Sequence, residues 1–351
     1  MMSRWEFLRA AALGGLGLVL RGVARAVGSE PGATVSMVKS EDRSWAVGRA
    51  IDLLGVNPID GKRVVVKPNF NSAHAFPGST HNDTLRALIE KLRSMGAVSF
   101  KVADRSGMGN TRTVMEEKGI FDMADQMGFE AVVLDELADE EWVHFDMPDT
   151  HWSRGLYFPR LFVDAESIVQ TCCMKTHRFG GHFTLSLKNS VGMVAQYSPD
   201  GAYNFMNELH GSAHQRLMIA EINLLYRPDL VVLDGIEAFV DRGPEAGTLA
   251  RPGVVIGGRD RVAVDAVGVG VLRLMGTTAE VSAGKVFDQE QIRRAVELGI
   301  GVDSPEKIEL VVPDAESQAF AESVASLLGA PLRPLSVRRA GWGEVKEQKG
   351  K

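Results

Sequence analysis

The segment Lys175–Gly192, KTHRFGGHFTLSLKNSVG, gathers two histidines, two lysines and an asparagine within fifteen residues. Imidazoles move protons or ligate metals near neutral pH, and ammonium groups hold anions. The catalytic candidates are therefore His177 and His182 as proton carriers, with Lys175 and Lys188 as an anion clamp. Gly180, Gly181 and Gly192 would let backbone approach a ligand closely or turn N–H groups toward an anion.

Other polar residues follow apolar runs. Lys67, Asn69 and Asn71 end one run, Asp104, Arg105 and Ser106 another, and Asp234 and Glu237 a third. In open α/β sheets ligands bind beyond the carboxyl ends of strands, so these positions should face one crevice. Lys67, Asn69, Asn189, Asp104, Asp234 and Asp265 are expected to bind or orient substrate there, with Asp234 and Asp265 alternatively serving a metal. His210 and His214 stand four apart, a spacing seen in metal pairs. Together with His177 and His182 they make a candidate ligand set for a transition metal, although Gly211-Ser212 reads equally well as a helix start. His74 and His81, in the polar loop after Asn71, are expected along the same crevice. His144 and His151 read as surface residues. No GxxxxGK[ST], HExxH or GxSxG motif is present, and Gly107-Met108-Gly109 is too short for a dinucleotide fingerprint.

The elements that must carry these residues alternate between the two periods. Strands are expected at Val35–Val38, Arg63–Lys67, Val98–Ala103, Ala131–Leu134, Glu166–Gln170, Asp229–Asp234, Gly253–Gly257 and Ile308–Val312. Helices are expected at Glu41–Leu54, Thr84–Met95, Val114–Met127, Ala213–Leu225, Ala263–Leu274 and Gln289–Leu298. This order predicts an α/β fold with a mainly parallel sheet flanked by helices, in two lobes with a crevice between them. The acidic stretch 135–150 is the expected lobe boundary, and 313–351 reads as a C-terminal extension with a polar tail.

The totals agree with a globular α/β protein: of 351 residues 45% are hydrophobic, 24% charged and only 7% aromatic, with 37 glycines. A formal charge of −6 argues against nucleic acid as a partner. The only cysteines, Cys172 and Cys173, are adjacent, so they neither suit a mutual disulfide nor supply the four thiolates of an iron–sulfur cluster. Residues 1–26 have a basic start (Arg4, Arg9), an apolar run from Ala10 to Leu20 and an Ala24-Arg25-Ala26 cleavage site, the plan of an export signal. The run is too short to span a bilayer. Ser3–Arg9 is similar to the twin-arginine motif with Trp5 at the second arginine, so export through that machinery to the periplasm or beyond is expected. Removal of this segment takes four basic and one acidic side chain and leaves a net charge of −9.

VVVKPNFN at 64–71, TLRALIEKLRSMGA at 84–97, VADRSG at 102–107, KTH at 175–177 and TLSLKNSVGM at 184–193 resemble the domain-of-unknown-function 362 family. So do RPDLVVLDGIEAFVDRGPEAG at 227–247 and DRVAVDAVG at 260–268, which brings the resemblance to about residues 33–312. Many members carry an iron–sulfur extension, for which this chain lacks the cysteines. A looser similarity links it to nickel-pincer lactate racemases, in which a His, a Lys after a Gly-containing turn and a further His surround a cofactor and a 2-hydroxy acid. It implies His177 or His182, Lys188 and His210 in the same order, at different spacing.

Three functions follow from these readings. The first is an enzyme for a small anionic, carboxylate-type substrate. The second is a metal- or cofactor-binding protein without turnover. The third is a partner-binding scaffold using the acidic stretch 135–149 and the basic tail.

Overall fold

The computed structural model describes residues 32–329 and 336–337; the expected export signal lies outside them. The strands in chain order are β1 (Ala33–Lys39), β2 (Arg63–Lys67), β3 (Ser99–Asp104), β4 (Glu130–Val133), β5 (Trp142–Phe145), β6 (Leu156–Pro159) and β7 (Ser167–His177). They continue with β8 (His182–Thr184), β9 (Leu230–Asp241), β10 (Thr248–Ala250), β11 (Val254–Gly258), β12 (Ile308–Val312) and β13 (Ser336–Val337). Eleven of them form one sheet, nine along the path β13-β12-β1-β11-β9-β7-β2-β3-β4 with β10 paired to β9 and β8 to β7 off it, and β5 and β6 pair as a separate hairpin.

Every pairing along that path is parallel except the two made by β11, which runs antiparallel to both β1 and β9. The expected mainly parallel α/β sheet is therefore present. It is continuous across the expected lobe boundary, because β4 before residue 135 and β7 after residue 150 both belong to it.

Side-chain alternation explains why RVVVK is apolar throughout. Val64 and Val66 face the helices Arg43–Leu53 and Asn82–Ser94, while Val65 faces the opposite layer with Phe158, Phe162 and Ile219. A parallel strand covered on both faces has no polar side to show. β9 alternates likewise, Leu230 and Val232 one way, Val231 and Leu233 the other. On that second face the helix Arg261–Leu274 is buried almost throughout, between the sheet and the helix Ala315–Ala325.

Helix starts follow local chemistry. Asp42, Asn110 and Asp260 accept backbone N–H groups three residues on, at 3.1, 3.0 and 2.9 Å. The single helix expected over 114–127 is instead two, Thr111–Glu117 and Ile120–Met127, separated at Gly119, whose φ of +67° ends the first. No helix among the described residues is long and apolar enough to cross a membrane.

Two features set up the site. β2 pairs with β7 only as far as Lys67 opposite Gln170, so β7 runs on for seven residues beyond its neighbour, Thr171–His177. That overhang carries Lys175 and His177 past the carboxyl edge of β2, and β8 folds back on it.

Candidate functional site

The carboxyl ends of β2, β3 and β7 meet around a cavity of about 40 Å³ lined by Lys67, Asn69, Asn71, Asp104, Arg105, Lys175, His177, Thr184, Lys188 and Asn189, with Gly107, Val191, Gly192 and Pro244. Of the residues expected from sequence, Lys67, Asn69, Asp104, Lys175, His177, Lys188 and Asn189 are brought together here.

The cations are unusually deep. Lys67, Lys175, Lys188 and Arg105 are 1%, 0%, 8% and 3% exposed, and Asp104 is the one carboxylate lining the cavity with them. Lys67 Nζ lies 2.6 Å from Asp104 Oδ1 and also donates to the Pro68 carbonyl at 2.6 Å. Asp104 further accepts the Phe70 and Arg105 amides, at 2.5 and 2.8 Å. Burial still raises its carboxyl above the usual range, against the pull of Lys67. Lys175 Nζ donates to Asn69 Oδ1 at 2.9 Å and to the Gly78 carbonyl at 2.5 Å. Asn69 Nδ2 donates to Asn189 Oδ1 at 3.0 Å, and Asn189 Nδ2 to the Thr171 carbonyl at 3.2 Å. Lys67, Asn69 and Asn189 are thus engaged with one another and the backbone. They form the floor of the site, a more indirect role than the substrate contacts expected of them.

Arg105 pins the far wall. Its guanidinium donates to the Val194, Ser106 and Val191 carbonyls at 2.8, 3.0 and 3.0 Å and makes no ion pair, although Asp135 and Asp104 favour its charge from farther off.

Lys188 differs from the other lysines. It sits on the short helix Ser186–Asn189 with no hydrogen bond or ion pair to its Nζ, and burial, then Lys175 and Arg105, lower its pKa to about 7. Lys175 is lowered to about 8, chiefly by burial. His177 is held well below its ordinary value by burial and by Lys188 and Lys175, so it is neutral at pH 7.

Three buried polar atoms of the lining residues also lack a partner: His177 Nδ1, Thr184 Oγ1 and Asn71 Nδ2. Such groups are rare and call for a physical reason, since each carries an unpaid desolvation penalty of roughly 1–3 kcal/mol. The reason here is that they converge on one space.

Two glycines of the central segment make that space. A Cβ on Gly181 would stand 2.8 Å from Lys188 Cε and 2.9 Å from His177 Nδ1. One on Gly192 would stand 2.4 Å from Asp104 Oδ1 and 3.0 Å from Lys67 Nζ. Only glycine leaves room for the groups at these two positions.

The remaining candidates lie elsewhere. Asp265 accepts the Ser186 and Leu187 amides at 2.7 and 3.0 Å, so it caps the helix that carries Lys188 without reaching the cavity. Asp234 is held by Arg43, Thr84 and the Ile236 amide, also away from the cavity. His182, directly opposite His177 across the hairpin, is half-buried and faces Arg216, Glu280 and Glu290. His210 is exposed, with Nδ1 on the Met206 carbonyl at 2.7 Å, close enough to Lys188 and Arg105 to feel their charge but outside the lining. His214 stacks on His151, with ring centroids 4.4 Å apart, at the start of the helix Gln215–Ile222. The four histidines proposed as metal ligands therefore do not share a site. Among the described residues no three His, Cys, Asp or Glu side chains are grouped to hold a metal ion. His74 lines a neighbouring open groove of about 550 Å³ with Ser72, Met108 and Asn110, and His81 caps the helix Asn82–Ser94.

Asn71 and Arg105, expected from their strand-end positions to face the crevice but given no role there, line the cavity, and Thr184 is the polar lining residue not singled out from sequence. Thr184 had a signal. A hairpin turning at Phe179-Gly180-Gly181 pairs 175 with 184, and cross-strand partners share a face.

A family model described as a domain of unknown function (DUF362) matches residues 64–270. No curated protein matches the chain. Among solved structures, the lactate racemase apoprotein from Thermoanaerobacterium thermosaccharolyticum is 12% identical with a TM-score of 0.42, covering 82% of this chain and 85% of its own. A protein from Thermotoga maritima is 14% identical with a TM-score of 0.39, covering 78% of this chain and 64% of its own. Likenesses this distant carry no chemistry across.

Proposed function

Because this chain belongs to the DUF362 family, whose function is unknown, its chemistry has to come from its own site, and we propose that it is an enzyme acting on a small carboxylate-type anion in the cavity beyond β2, β3 and β7. The observation that carries this reading is the imbalance of buried charge: four cationic side chains surround one carboxylate. Uncompensated buried charge is costly, and a protein that is acidic overall keeps such a cluster where an anion completes it. Lys175 is the standing cation, with one ammonium proton left after Asn69 and Gly78. Asn71 Nδ2 and Thr184 Oγ1 offer unspent donors for carboxylate oxygens. Neutral His177 is placed to accept a proton, and Lys188 stands beside it. A cavity of about 40 Å³ takes roughly three waters, which is room for the head of a small anion.

Acetate, glycolate and pyruvate at millimolar concentration are expected to raise the melting temperature, whereas acetamide at the same concentration is not. Saturation at about a hundred times Kd corresponds to about 2.7 kcal/mol of added stability. Equal effects of acetate and acetamide would contradict the reading.

We propose as well that the protein is exported folded, on the strength of Arg4, the Ala10–Leu20 run and Ala24-Arg25-Ala26. A reporter fused after residue 26 should stay in the cytoplasm when the twin-arginine machinery is deleted; continued export would remove the basis for that route.

A further inference from the structure

Three lysines reach the cavity, and their partners sort them. Lys67 is committed to Asp104 and the Pro68 carbonyl, and Lys175 to Asn69 and the Gly78 carbonyl. Each therefore has two acceptors fixing its Nζ. Lys188 has no acceptor, carboxylate or carbonyl, on its Nζ, and its nearest charged neighbours are Lys175 and Arg105. Nothing in the fold stabilises its protonated form. A buried ammonium without a partner contributes nothing to stability, whereas a buried free amine beside a proton acceptor is a nucleophile.

We infer that Lys188 attacks the carbonyl carbon of a small 2-oxo carboxylate held in this cavity and forms an imine with it. The inference rests on the anion reading above, and it adds the substrate class and the bond made. The carboxylate would lie against Lys175, Asn71 and Thr184, which leaves the adjacent carbonyl toward Lys188 and His177. The amine nitrogen bonds to the carbonyl carbon, and the C=O π pair goes to oxygen. His177 Nδ1 carries one proton from the new ammonium nitrogen to the alkoxide, which gives the carbinolamine, and then a second from nitrogen to the hydroxyl, which leaves as water while the nitrogen lone pair forms the C=N bond. The product is a C=N bond and one water, with no change in oxidation state, and hydrolysis reverses it. The room for a tetrahedral carbinolamine between the two side chains is the room that a side chain on Gly181 would take.

Burial beside Lys175 and Arg105 brings the Lys188 amine to about 7, so about half of it is neutral at pH 7. That is on the order of 10³ times the free-amine fraction of a surface lysine.

The test uses the whole protein at pH 7 with glyoxylate and cyanoborohydride, followed by peptide mapping, and glyoxylate binding is measured separately by calorimetry without reductant. Cyanoborohydride reduces an imine of glyoxylate to a stable N-carboxymethyl group. Lys188 is expected to be labelled roughly 10-fold or more faster than surface lysines, with half-maximal rate near pH 7, and glycolate is expected to protect it. Labelling of Lys188 no faster than surface lysines, while glyoxylate still binds, would overturn the imine and leave anion binding standing. Absence of both binding and selective labelling would overturn both.

Discussion

Lys188→Met is expected to abolish imine formation with a 2-oxo carboxylate and to weaken carboxylate binding on Lys175, while the protein stays folded with a melting temperature at pH 7 equal to or above that of the wild type. The side chain is buried and its amine holds nothing, so the substitution breaks no contact. What it removes is a group whose charged form is disfavoured by folding. The folded pKa of about 7 lies below the model value of 10.5, and between those values the unfolded chain binds more protons than the folded one. Stability of the wild type should therefore rise with pH from about 7 to about 10, and Lys175 should add to the rise above about 8. Below pH 7 both states are protonated and the penalty is present in full. Lys188→Met should flatten the pH 7–8 part of this rise, which thermal denaturation across that range measures. A variant that fails to fold, or one that still binds acetate with wild-type affinity, would contradict the role given to Lys188.

Asp104→Asn should do the opposite: it should unfold the site and weaken the whole protein. Asp104 is the only carboxylate lining the cavity, it pairs with Lys67 at 2.6 Å, and it accepts two backbone amides. The asparagine would keep one acceptor oxygen and leave Lys67 buried without a counter-ion among Lys175, Lys188 and Arg105. Breaking a buried pair from one side costs about 3–5 kcal/mol, a fall of roughly 10 °C in Tm for a chain of this size. Because the loss comes from an uncompensated cation, added anion should recover part of it. A change in Tm within a degree or two would show that Lys67 is not depending on Asp104.

These two residues also show what the sequence could and could not reveal. A strand-end reading collects Lys67, Asn69, Asp104, Lys175, His177, Lys188 and Asn189, which line one cavity, because a parallel sheet exposes its carboxyl edge to one side. It cannot say which of them are already spent. Asp265 and Asp234 look like the same kind of residue as Asp104. They lie elsewhere because Asp265 satisfies two amides 78 and 79 residues away and Asp234 pairs with Arg43 and Thr84. Such partnerships are long-range and leave no local trace.

His182 and His214 mislead for a simpler reason: a spacing along the chain does not say whether one element carries both members of a pair. In the hairpin His182 turns toward Arg216 and Glu290, and Ser212-Ala213 separates His214 from the helix that carries His210. In the fold, apolar runs announce strands but not their direction, so the antiparallel β11 was not legible. The helix Ala315–Ala325 was missed because its sequence, AESQAFAESVA, shows only a thin apolar stripe. The sequence places the end of β7 at Gln170 because polar residues follow, although all of Thr171–His177 is buried.

The central claim is that a buried cluster of lysines awaits an anion, and proton-linked calorimetry tests it most directly. Acetate would be titrated into the protein at about pH 7.5 in two buffers of different ionisation enthalpy. An anion seated beside Lys188 and Lys175 raises both amines, so binding should draw a substantial fraction of one proton from the buffer, on the order of 0.5–1 per site. Acetamide should neither bind nor draw protons. Acetate that binds with no proton uptake, or that does not bind while the protein is folded, would contradict the account.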